Sequence, residues 1–177
     1  MSHMTERLEL RLPVEADRSR FVELFCDDDF MIYSGGVADT SAANARFDQM
    51  LSNAAEVLYA KQPIIERSTG TILGYSGVAF FDFEGSREQE FGYRLCPQAR
   101  GKGYATEAGL VLVEVARAEL ARAAAARSSA PRTIYAMIDP RNEPSMRVAA
   151  KLGFVFWKQE VVNGYLDNLY RLAPDNL

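Results

Sequence analysis

Residues 89–122 constrain the fold of this chain more than any other stretch. An extended run, QEFGYRL, is followed by the turn CPQARGKG and then by an alanine- and valine-rich segment with no proline. From Tyr104 to about Arg122 the pattern predicts a helix, with Gly109, Leu112, Val113, Ala116 and Leu120 on one stripe and Glu107 and Glu114 opposite. Val111 lies off that stripe, so the helix is expected to be covered on more than one face. A strand that passes through two glycines into a long apolar helix cannot stand alone. The strand needs neighbours and the helix needs a sheet face, which makes this a layered α/β protein.

The rest of the chain fits that requirement. Residues 7–13 alternate as a strand ending at Pro13, and residues 14–25 space Val14, Phe21, Leu24 and Phe25 as an amphipathic helix. CDDDFMIYSGG reads as a loop, and residues 40–56 as a second helix. VLYAKQPIIER and TILGYSGVAFFDF read as strands separated by the turn STG, and EGSRE turns the chain into the strand QEFGYRL. Beyond the long helix, residues 121–131 read as a frayed end and loop, residues 133–139 as a short buried strand, and residues 142–153 as a helix capped by Gly153. FVFWKQEVV and YLDNLYRL, joined by Asn163-Gly164, predict a closing hairpin. The expected order is β-α-α-β-β-β-α-β-α-β-β, an α/β mixed sheet in one domain over residues 5–177. MSHM at residues 1–4 is read as a cloning scar.

Composition narrows the chemistry. Lys and Arg number 20 against 24 Asp and Glu, a net charge of −4, so no broad electrostatic footprint for nucleic acid is expected. No apolar run reaches the length of a membrane span, and a cytoplasmic location is the default expectation. Cys26 and Cys96 are too few for a disulfide framework, and the single histidine, His3, falls in the suspected scar. No Ser–His–Asp or Cys–His unit can be assembled and no histidine-based metal site is expected, which leaves carboxylates, hydroxyls, backbone amides or a cofactor.

A strand, a glycine turn and a helix N-terminus together make an anion site, because unpaired amides and the helix dipole both favour negative charge. Three phosphate patterns compete for GKG. The P-loop pattern fails because Gly103 is followed by Tyr104, and the dinucleotide pattern fails at Thr106. The pattern Q/R-x-x-G-x-G/A is matched by Gln98, Gly101 and Gly103.

That segment resembles the acetyl-CoA motif of the GCN5-related N-acetyltransferases (GNAT). EFGYRLCPQARGKGYATEA is similar to the branch of ribosomal-protein N-terminal acetyltransferases (RimJ/RimL-like), NEPSMRVAAKLGF resembles the family's next motif, and NGYLDNLYRL its closing hairpin. The resemblance is weakest over residues 26–58. It implies direct acetyl transfer from acetyl-CoA to a primary amine, a protein N-terminus or a small molecule. It also implies a cofactor site at Leu95, Cys96, Arg100, Gly101, Lys102, Gly103, Tyr104, Ala105, Thr106, Asn142 and Lys151. Glu90 is the candidate base, although a solvated carboxylate or a Glu–Arg pair would look the same. Ser145 is the candidate proton donor to the thiolate, on a stripe with Val148, Ala149 and Leu152, although a helix cap is its alternative. Tyr170, or Tyr165, is the fallback donor. Asn142 also suits a cap, Lys151 a solvated lysine, and Cys96 packing. The aspartates of CDDDF suit either a solvated cluster or a cation-attracting acceptor wall. A non-catalytic acyl-CoA-binding module is the alternative function, and Val111 and the sheet edges leave a homodimer open.

Overall fold

Residues 71–95 build the two longest strands, which form a hairpin. These are β4 (Thr71–Phe83) and β5 (Ser86–Leu95), in register from Gly74↔Leu95 to Phe83↔Ser86. The computed structural model describes residues 2–33, 36–126, 133–162 and 164–172. The turn expected over residues 84–88 is tighter than its sequence suggests. Only Glu84 and Gly85 are outside the ladder, at φ 49° and 79°, the backbone twist that a two-residue hairpin needs.

Ahead of this hairpin come β1 (Ser2–Met4), β2 (Leu8–Arg11) and β3 (Gln62–Glu66), with α1 (Arg18–Phe25), α2 (Asp28–Met31) and α3 (Thr40–Glu56) between β2 and β3. After it come α4 (Tyr104–Ala125), β6 (Ile134–Ile138), α5 (Glu143–Lys151), β7 (Phe154–Val162) and β8 (Tyr165–Leu172). The eight strands form one sheet in the order β1-β2-β3-β4-β5-β6-β8-β7. Every neighbouring pair is antiparallel except β5 and β6, which the α4 crossover makes parallel.

Four expectations change. Residues 2–4 pair with β2 as an extra strand, Ser2 opposite Arg11. The loop at residues 26–36 contains the four-residue α2, because Asp27 caps it by accepting the Phe30 N–H at 2.7 Å. The helix expected from residue 14 opens as a 3-10 turn, Glu15–Asp17. There the buried Asp17 takes both Arg11 guanidinium nitrogens at 2.7 Å and the Val14 N–H at 2.9 Å. The strand expected from residue 57 begins at Gln62, preceded by a single bridge from Ala60 to Val78. The parts of the expected loop at residues 127–132 and of the turn at Asn163 lie outside the described residues.

Helices cover both faces. On one, the rings of Phe21, Phe25 and Phe30 lie 6.2–6.4 Å from Tyr75 of β4, and Phe47 of α3 stacks on Phe21 at 5.4 Å. On the other, α4 buries Ala108, Leu112 and Ala116 completely. Gly109 lets α5 approach α4, since a Cβ there would lie 2.7 Å from Leu152 Cδ1. A smaller cluster of Phe83, Val162 and Leu169, with Phe81, Met137 and Trp157 against it, packs the hairpin end of the sheet.

Candidate active site

The parallel pairing of β5 and β6 covers only Gln89↔Ile134 and Glu90↔Tyr135. Beyond those pairs the strands diverge and open a cleft of about 1140 Å³. Residues 91–95 form one wall and residues 136–139 the other. The glycine turn and the start of α4 close one end, and α5, the first residues of β8 and, from before and within β4, Phe30, Ile32, Tyr33, Lys61 and Tyr75 complete the lining.

At the closed end, a 3-10 turn (Pro97–Ala99) leads into Gly101 at φ 73° and Gly103 at φ 83°. Both values lie in the left-handed region that glycine adopts without penalty. The first bond of α4 runs from the Glu107 N–H to the Gly103 carbonyl at 3.0 Å. The amides of Tyr104, Ala105 and Thr106 thus precede the helix's own bonding and lie at its positive pole, the chemistry that binds phosphate. All three residues line the cleft.

The turn is braced from behind by side chains with no obvious sequence signal. Arg7 donates to the Lys102 carbonyl at 2.9 Å and to Glu107 Oε2 at 2.8 Å, while the Thr5 hydroxyl reaches Glu107 Oε1 at 2.5 Å. Burial works to raise the Glu107 carboxyl, but Thr5 and Arg7 outweigh it and hold the group below the ordinary range. The Tyr104 hydroxyl donates to Glu66 at 2.7 Å, with Arg7 over its ring, so Tyr104 offers the cleft its backbone more than its phenol.

Several expected cofactor contacts are differently engaged. Arg100 turns back onto the main chain, donating to the carbonyls of Leu95 at 3.1 Å and Asp29 at 2.5 Å. Lys102 is exposed and outside the cleft lining, and it is its carbonyl that matters. The Cys96 N–H donates to the Leu73 carbonyl at 2.8 Å, and its buried side chain packs in the core. Leu95 and Arg100 do line the cleft, as do Asn142 and, on the exposed last turn of α5, Lys151.

In α5, Asn142 takes the cap, accepting the Ser145 N–H at 3.2 Å. The Ser145 hydroxyl is therefore free to face the cleft, where it sits 2.9 Å from the Tyr93 hydroxyl. Tyr93 was not expected. Burial raises its phenol, and the bond to Ser145 works against that shift. Tyr170 does not line the cleft; it is buried against Phe156 at 5.7 Å between ring centroids, and burial raises its phenol too. Tyr165, the other hairpin tyrosine, is in the lining.

The opposite face of β5 presents Glu90, Gly92 and Arg94. A Cβ on Gly92 would lie 3.9 Å from both Glu90 Oε1 and Lys61 Cε, so these two side chains flank one open position. Two further carboxylates line the cleft, Asp139 at the end of β6 and Asp167 on β8. Arg141 holds Asp139 through its side chain at 2.6 Å and its backbone at 2.8 Å, bringing that carboxyl down to about 2. Asp167 is pushed the other way, to about 6, first by burial and then by Glu90 and Asp139. The three acids form no metal-holding group among the described residues. The aspartates of the CDDDF run stay outside the lining: Asp27 is a cap, and Asp28 and Asp29 are exposed in the first turn of α2.

Residues 7–155 match the family described as the acetyltransferase (GNAT) domain. A curated relative, the protein YkkB of Bacillus subtilis (strain 168), is 28% identical over 156 residues, covering 88% of this chain and 86% of the relative. A GnaT-family acetyltransferase from Bordetella pertussis has the same fold, with a TM-score of 0.78 at 20% identity over 97% of this chain and 99% of its own. The structure of yncA from Salmonella typhimurium with its cofactor acetyl-CoA superposes with a TM-score of 0.67 at 22% identity, covering 97% of this chain and 100% of its own.

Proposed function

The chain belongs to the GNAT acetyltransferase family, and from that premise we propose that it moves an acetyl group from acetyl-CoA directly to a primary amine, a protein N-terminus or a small molecule. One observation carries this reading. A single cleft joins an anion-binding turn of main-chain amides at one end to a hydroxyl pair and a carboxylate wall farther along. The acetyl-CoA bound to yncA supports the same donor here.

The residues divide the work. The amides of residues 101–106 take the pyrophosphate, which needs only correctly aimed N–H groups and no particular side chain. The pantetheine arm runs along the unpaired edge of β5 beyond Glu90, towards Ser145. Transfer requires a neutral amine, an acetyl carbonyl poised for attack and a proton for the departing thiolate. The Tyr93–Ser145 pair supplies that proton: Ser145 donates to the sulfur and recovers a proton from Tyr93, whose phenol, raised by burial, stays protonated at neutral pH. Glu90, on the face of β5 away from α5, holds the incoming ammonium beside the gap above Gly92.

Thiol release from acetyl-CoA, measured with N-terminal peptides, polyamines and aminoglycosides, tests this. Turnover with one of these classes is expected. Tight acetyl-CoA binding without turnover on any amine would mark the chain as an acyl-CoA-binding module instead.

A further inference from the structure

Asp167 is a cleft carboxylate for which the transfer outlined above has no use. Asp139 is paired with Arg141, and Glu90 is the carboxylate assigned above to holding the ammonium. Asp167 has no hydrogen-bond or ion-pair partner among the described residues, although it is half-buried. What faces it is acidic on three strands. Glu90 comes from β5 and Asp139 from the end of β6, while Glu160 lies directly opposite on β7, itself held by Lys158. A half-buried carboxylate beside Glu90 and Asp139 is costly to maintain, and an arriving cation is what relieves it.

We infer that Asp167 is the base of the transfer, accepting the proton of the acceptor's ammonium while Glu90 holds that ammonium in place. This rests on the acetyl-transfer reading above. The ammonium R–NH₃⁺ gives one proton to the Asp167 carboxylate, leaving R–NH₂ and a carboxylic acid. The amine lone pair forms the C–N bond to the acetyl carbon, and the C–S bond breaks with its electrons on sulfur. As the adduct collapses, the Tyr93–Ser145 pair gives its proton to the thiolate and is restored by the surplus proton leaving the nitrogen through cleft water, while Asp167 returns its own to water, so that one proton is released per turnover.

The acidity of Asp167 suits the role. Burial, Glu90 and Asp139 move it to about 6, so it is mostly carboxylate at neutral pH yet takes a proton more readily than an ordinary aspartate. Because only the carboxylate accepts a proton, turnover falls as pH drops through about 6.

The test uses the best acceptor from the amine screen. In Asp167→Asn, kcat/KM at pH 7 is expected to fall by roughly 10²–10⁴-fold, with unchanged acetyl-CoA affinity by calorimetry. The acid limb near pH 6 should vanish, and the rate should recover as pH rises and free amine accumulates. A variant within about threefold of wild type overturns the inference. So does an acid limb that survives in Asp167→Asn but disappears in Glu90→Gln, which would make Glu90 the base. Should Asn at this position also abolish acetyl-CoA binding, the wild-type profile decides: a limb near 6 supports the inference and a limb near 4 overturns it. Wild-type protein inert towards every amine overturns the acetyl-transfer reading itself, and this inference with it.

Discussion

Gly101 and Gly103 hold φ values of 73° and 83°, which a β-branched residue adopts only under strain of about 1–3 kcal/mol. Space at the two positions is not the obstacle. A Cβ at Gly101 meets nothing, and one at Gly103 meets only Arg7 at 3.5 Å. Gly103→Val should therefore rotate the amides off their target and raise the Kd for acetyl-CoA at least tenfold, read by calorimetry. Unchanged affinity would mean that phosphate binds elsewhere. Tyr93 and Ser145 make the second prediction. If they move one proton as a unit, Ser145→Ala and Tyr93→Phe should each lower kcat by roughly tenfold or more, and the double variant should be little worse than the more damaged single one. Independent, multiplying losses would separate them. Half of this pair was legible in sequence, because Ser145 sits on an apolar helical stripe where a bare hydroxyl is out of place. Tyr93 was not, since its strand parity gives a face but names no partner, and its partner is 52 residues downstream.

Elements whose side chains repeat over many residues were readable. α3, β4 and the two strands of the closing hairpin begin and end where the sequence reading places them. Short ones were not: α2 is four residues stabilised by one capping bond, and three consecutive aspartates read as solvated loop. The same limit hid Asp167, a lone acid in a hairpin strand whose surroundings come from three other strands. Contacts between distant elements were equally silent. Arg7, just before β2, ties the glycine turn to the first turn of α4 by binding the Lys102 carbonyl and Glu107 together. Arg7→Ala should raise the acetyl-CoA KM several-fold while leaving kcat near wild type. Arg7→Lys should rescue it only in part, because an ammonium lacks the planar fork that reaches both partners. A fall in kcat with KM unchanged would assign Arg7 to the chemistry instead of the turn.

Over the whole molecule, the sheet divides into five strands and three, joined by two residue pairs of β5 and β6. Every strand but β1 was legible in sequence, but the seam was not, because pairing that stops part-way along two strands leaves no compositional mark. A ligand lying in that seam contacts both halves and α4 and α5 with them. Acetyl-CoA at about 100 times its Kd should thus stabilise the fold by about 2.7 kcal/mol, a rise in Tm of about 5–10 °C for a chain of this size. Scanning calorimetry with acetyl-CoA against ATP and NAD checks this, and an equal rise with all three would deny the site its selectivity. The seam also separates two kinds of inheritance. Under the acetyl-transfer proposal, donor recognition rests on main-chain amides and two glycines, which tolerate almost no substitution, whereas the rest of the lining, where the acceptor would enter, is made of replaceable side chains from α2, β5, β6 and β8. On that proposal, descendants of this sequence can exchange one amine for another, one side chain at a time, without relearning how to hold the acetyl donor.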